Sequence, residues 1–194
     1  IITKSKEFEP VPYFFKRSYP NWELSEETWE KDRIVYTRHQ IRTPAKTLQE
    51  VIAVPDTDHG TAGVSASVRE YLIKDESDIE AFIKYVPDID KDTLAHMKEF
   101  CEWSHRVIGD KGIAAPWMWG GVYNKATELR DIQELMVDPY DDPELYEAFM
   151  GKILELQLKM NTEFAKLNGM ALSMQGNIAN AGMVSKSFFD EYIL

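Results

Sequence analysis

The stretch GIAAPWMWGG, residues 112–121, decides how the chain is read. Its first half is short, apolar and bounded by glycine, the pattern of a strand buried on both faces in a parallel sheet. Its second half sets Trp117 and Trp119 two apart, after Pro116 and before Gly120 and Gly121. Strand alternation puts both tryptophans on one face. Two readings of that face stand side by side. One is core packing. The other is the rim of a pocket for a flat, apolar-bodied ligand, where glycine lets backbone come close.

Downstream the period is helical. Residues 124–137 carry Leu129, Ile132, Leu135 and Met136 and stop before Asp138 and Pro139. Asp142 then caps a long helix with Pro143 at its first position. Leu145, Phe149, Ile153, Leu156, Met160, Phe164 and Leu167 recur along it at steps of three and four, and Asn168-Gly169 closes it. MALSM, 170–174, reads as a second buried strand, and SKSFFDEYIL starts the next helix. Strand, helix, helix, strand, helix is the rhythm of a parallel sheet, so 110–194 are expected to form βα units of a barrel. A closed eightfold barrel usually takes about 250 residues. The expectation for these 194 residues is one α/β domain, a partial (β/α)8 TIM barrel.

Upstream the pattern differs. IVYTRHQI (34–41), LQEVIAV (48–54) and VSASVREYLI (64–73) are β-branched or alternating, with turns at RTPAKT and DTDHGTAG. They predict an antiparallel β excursion over residues 33–73. Residues 1–31 read as irregular, with LSEETWEKD polar and helix-like. A helix is expected near 75–86, capped by Asp75 or Ser77, with Ile79, Phe82, Ile83 and Val86 on one face. Another is expected over 91–108, striped by Leu94, Met97, Cys101, Ser104 and Ile108 and ended by Gly109.

Composition excludes several classes. A net charge of −11 with no Lys/Arg run longer than two argues against nucleic acid as a partner. No apolar run approaches the length of a membrane span. The single Cys101 rules out an internal disulfide and fits the reducing cytoplasm. The chain begins without Met and ends within a helix-like segment, which reads as the central slice of a longer chain.

Five segments occur in one order: IRTPAKTLQEV, IKDESDIEAF, GIAAPW, DPYDDPELYEAF and GNIANAGMVSKSFFDEYIL. Together they resemble the uroporphyrinogen decarboxylase superfamily, which includes the tetrapyrrole decarboxylase and the cobalamin-dependent methyltransferases. The resemblance covers roughly residues 33–194. It implies a (β/α)8 barrel with the active site at the C-terminal ends of its strands. The excursion that RTPAKTLQEV begins is similar to one in the methyltransferase-like branch, which commonly has glycine where this chain has Lys46. In that branch zinc is held by a His-x-Cys pair and a later Cys. The resemblance places those ligands beyond Leu194, so no metal ligand is expected within this chain.

The strand-end positions are the candidate binding residues. Trp117, Trp119 and Tyr123 offer flat surfaces with a polar tip. The decarboxylase has a functional tyrosine just after its APW; Val122 stands at that offset here, and Tyr123 one residue later. In MQGNIANAG, Gln175 and Asn177 can orient a substrate by hydrogen bonds but cannot act as acid or base. Cys101 and His105, four apart, read as a buried thiol beside a helix-face histidine, and DPYDDPE as turn and cap chemistry. His39, His59 and His96 receive no role.

Three functions follow as expectations. The first is methyl transfer between a corrinoid and a small molecule, with zinc and corrinoid as cofactors and a corrinoid carrier protein or a second copy of the chain as partner. The second is cofactor-free decarboxylation of uroporphyrinogen, a tetrapyrrole. The third is a non-catalytic ligand-binding barrel.

Overall fold

A computed structural model describes residues 17–55, 66–112, 121–166, 178–180 and 182–193. The chain divides into a sheet unit, residues 17–86 and 126–149, and a helical unit drawn from residues 87–125 and 150–194.

The sheet unit is built on four antiparallel strands in the order β1 (Glu23–Lys31), β2 (Ile34–Arg42), β3 (Thr47–Pro55) and β4 (Ser67–Glu70). The turns dictate this. Asp32 and Arg33 both take positive φ, 54° and 61°, the conformation of a two-residue hairpin whose twist matches the flanking strands. At the second hairpin Thr43 N–H donates to the Lys46 carbonyl, and Thr43 Oγ1 accepts from the amides of Ala45 and Lys46. The side chain thus satisfies groups that Pro44 leaves unpaired in the turn. The β3–β4 ladder shifts register between Val51 and Ile52.

This architecture overturns the partial (β/α)8 TIM barrel. A parallel pair needs a crossover of a dozen or more residues, and hairpins this tight can only reverse the chain. The parallel contact among the described residues is a single bridge, Ile73 to Arg130, with Ile73 N–H donating to the Leu129 carbonyl at 2.9 Å. All of GIAAPWM after Gly112, and all of MALSM, on which the parallel sheet rested, lie outside the described residues.

A second correction concerns LSEETWEKD. It is a strand, not a helix, pairing along its length with β2 from Glu23↔Arg42 to Lys31↔Ile34. Its Glu and Lys favour helix locally, but Trp29 stacks on Tyr36 at 5.4 Å and the ladder satisfies the backbone. The antiparallel sheet therefore starts at Glu23 rather than near residue 33.

Helices follow in α1 (Glu76–Tyr85), α3 (Val122–Leu129), α4 (Ile132–Asp141) and the start of α5 (Pro143–Ala165), with α2 (Lys91–Ile108) and α6 (Lys186–Tyr192) in the helical unit. Asp75 caps α1, accepting from Asp78 N–H. The helix expected over 124–137 is two. Asp131 breaks it and caps α4 through Gln133 N–H. Helix α4 then runs through Pro139, where no hydrogen bond back to Leu135 is possible, and stops two residues later.

In the sheet unit, Pro20 and Asn21 (φ 66°) turn the chain and deliver Trp22 into the core. Trp22 meets Phe82 edge-on at 6.2 Å, and Phe82 meets Phe149 at 5.7 Å. Ile41, Leu48, Leu72, Ile79 and Leu135 complete this buried set. In the helical unit α2 buries Thr93, Met97, Cys101 and Ser104, and α5 buries Ile153, Leu156 and Met160. Gly109 ends α2 at φ 52°.

Candidate functional site

Three chain segments converge in the sheet unit. The first is the β2–β3 turn, where Thr43 and its hydrogen bonds hold Lys46. The second is the start of α1. Lys46 Nζ lies 2.5 Å from Asp78 Oδ1 and 3.2 Å from Asp75 Oδ1, and it donates to Ser77 Oγ at 2.7 Å. Asp78 is buried and also accepts the backbone N–H of Lys74 at 2.8 Å. The hydrogen bond from Lys46 to Asp78 holds the ammonium above its ordinary pKa. Asp75 is held down to about 2, first by the Ser77 hydroxyl and also by its cap bond and Lys46.

The third segment is α4 and its junction with α5. Arg130 makes a two-pronged pair with Asp138, Nε to Oδ2 at 2.6 Å and Nη2 to Oδ1 at 2.7 Å. Burial works against the guanidinium charge, but the Asp138 bonds and charge outweigh it and raise its pKa. Asp142 accepts from Leu145 N–H and caps α5.

The start of α1, Arg130, α4 and the start of α5 line an open cavity of about 450 Å³, and Lys46 ties the β2–β3 turn to its α1 side. Its wall carries the carboxylates of Asp75, Glu76, Glu134, Asp138, Asp141 and Asp142, with Arg130, Ser77 and Tyr146 among the remaining groups. Arg130 is the cation among the lining residues, and both prongs of its pair go to Asp138. The cavity is the size of a small-molecule site. Its charge favours a ligand that is cationic and repels a polycarboxylate.

Of the binding residues expected from sequence, one, Tyr123, is among the described residues. Trp117, Trp119, Gln175 and Asn177 lie outside the described residues. Tyr123 lies near the start of α3 and is 2% exposed, edge-on to Phe188 at 6.1 Å. Among the described residues its hydroxyl has no hydrogen-bond partner, and burial pushes its pKa up to about 12.

Among the described residues no group of three or more His, Cys, Asp or Glu side chains could hold a metal ion. Cys101 is free and buried, and burial raises its thiol pKa. His105, one helical turn on, is exposed.

Sequence reasoning missed the pairs Lys46–Asp78 and Arg130–Asp138. It also passed over His39, whose buried ring spans two carboxylates, Nδ1 to Glu50 at 2.8 Å and Nε2 to Glu26 at 3.1 Å. Strand alternation on β1, β2 and β3 was the available signal, but it needed the register.

No protein-family model, no curated protein and no solved structure matches the chain. Among the described residues, no helix is long and apolar enough to cross a membrane.

Proposed function

We propose that the chain belongs to a uroporphyrinogen decarboxylase-like enzyme of the branch that moves a methyl group between a corrinoid and a small molecule. One observation carries the reading. Of the five segments that bear the resemblance, two line one cavity, IKDESDIEAF through Asp75 and Ser77 and DPYDDPELYEAF through Asp138, Asp141 and Asp142, and a third, IRTPAKTLQEV, is tied to the first of these through Lys46. Lys46 joins two of these segments by ion pairs, and Asp138 of the third pairs with Arg130, which shares the cavity wall.

The cavity supports methyl transfer over decarboxylation. Uroporphyrinogen carries many carboxylates, and six carboxylates on the wall oppose it. A small cationic partner fits both the volume and the sign. A corrinoid ring does not fit a cavity of about 450 Å³, so the described residues supply the small-molecule side of the reaction. The corrinoid, when bound, supplies the cobalt that exchanges the methyl group; a carrier protein or a second copy of the chain presents it. The free, buried Cys101 fits work in the cytoplasm.

The test is turnover of methylcobalamin by the protein with a panel of small cationic and neutral acceptors. Loss of the methyl–cobalt absorbance that depends on protein and on a cationic acceptor supports the reading. No turnover with any acceptor, together with release of carbon dioxide from uroporphyrinogen, replaces it with the decarboxylase reading. Neither activity leaves a binding protein.

A further inference from the structure

We propose that Glu26, His39 and Glu50 form a proton-operated clip that fixes the edge strand β1 to the sheet. The three stand directly opposite one another on β1, β2 and β3, in the register Glu26↔His39 and His39↔Glu50. Both ring nitrogens lie at hydrogen-bond distance from a carboxylate, Nδ1 2.8 Å from Glu50 Oε1 and Nε2 3.1 Å from Glu26 Oε2. A neutral imidazole has one N–H, so it donates to one carboxylate and turns a lone pair toward the other. The imidazolium donates to both. The arrangement is complete only when His39 carries both protons.

The surroundings make the proton count decisive. His39 and Glu50 are buried, while the Glu26 side chain is 57% exposed. A lost proton therefore releases Glu26, which water can solvate, and leaves the inner contact in place. By register and alternation the nearest residues on the same sheet face are Leu24, Ile41 and Leu48 on one side and Thr28, Thr37, Ile52 and Val68 on the other. None of these titrates. Arg38 alternates to the opposite face, where it pairs with Glu27 and lies over Trp29.

Strand β1 depends on such a tie. Among the described residues it stands at the sheet edge with β2 as its one neighbour, and none of its side chains is buried. Without Glu26 it keeps the ladder, the Trp29–Tyr36 stack and the exposed pairs Arg38–Glu27 and Arg42–Glu23. Exposed pairs of that kind contribute little. Raising the pH should therefore loosen β1 before the rest of the sheet.

Amide hydrogen exchange on the whole chain tests this. Protection factors divide out the intrinsic pH dependence of exchange, so they report opening alone. When the pH is raised from about 5 to about 9, the β1 amides should lose protection about tenfold, the size expected for one charge-assisted hydrogen bond. Amides between β2 and β3 should change less. In Glu26→Gln, at an exposed position, the β1 response should shrink to less than about twofold, because the amide can either accept from or donate to the ring. Constant β1 protection across the range in the unaltered protein overturns the proposal. So does a response of undiminished size in Glu26→Gln.

Discussion

Lys46 and Asp78, thirty-two positions apart, form an ion pair of 2.5 Å that joins the β2–β3 turn to the first turn of α1. Asp78 is 2% exposed, so its carboxylate has no water to fall back on. Replacing Lys46 by Met keeps the stem and removes the charge. The expected cost is about 2 kcal/mol, the penalty of leaving a buried charge with only its backbone donor, reduced because Lys46 is partly solvated. Urea unfolding of Lys46→Met checks this. Loss should be smaller in the pair Lys46→Met with Asp78→Asn than in the sum of the two single changes.

Arg130 and Asp138 should behave more severely. Both are mostly buried and bonded at two points. Arg130→Met should lower stability by about 3 kcal/mol, because Asp138 is left charged and unpaired. Arg130→Lys should recover only part of it, since a single ammonium cannot reproduce the planar fork. Thermal unfolding of the two variants gives the comparison.

Acid should remove a contribution made by Asp75. Its folded pKa is depressed to about 2, so the unfolded chain binds the proton first. The stability it confers is present above the ordinary carboxylate range of about 4 and is lost as pH falls through about 2. In Asp75→Asn the slope of unfolding free energy against pH should flatten in that window and stay unchanged above it. An undiminished acid slope in the variant would contradict the assignment.

Tyr123 gives the opposite expectation. Its hydroxyl is buried without a partner among the described residues, which is unfavourable. Tyr123→Phe should leave stability unchanged or raise it by about 1 kcal/mol, measured by urea unfolding. A clear loss would mean that the hydroxyl is bonded in solution.

How much of this could be read from the residues depended on range. Local chemistry was legible. Asp75 as the cap of α1, Gly109 as the end of α2, and Asp142 with Pro143 at the start of α5 all follow from side chains acting on backbone within a turn. β2 and β3 showed in their β-branched residues. β1 did not, because ELSEETWEK carries helix-favouring Glu and Lys, and only the partner strand makes it extended. The break at Asp131 was hidden by apolar spacing that continues across it. The barrel failed for a long-range reason: the rhythm of apolar runs does not specify whether neighbouring strands pair in parallel. The candidate site shows the same limit. The acids of DPYDDPE looked like caps, and Asp142 is one, but nothing local reveals that Asp138 holds Arg130 or that Asp75 shares their cavity.

The most direct test of the account is whether the acidic cavity selects a small cationic methyl partner. Glu76 and Asp141 line it at exposed positions, so Glu76→Gln with Asp141→Asn removes two charges and leaves the Lys46–Asp78 and Arg130–Asp138 pairs in place. With methylcobalamin as donor, the account predicts that KM for a cationic acceptor rises about tenfold or more in this variant, the loss of charge-assisted contacts, while Tm stays unchanged. An unaltered KM, or a preference for anionic acceptors in the unaltered protein, would contradict it.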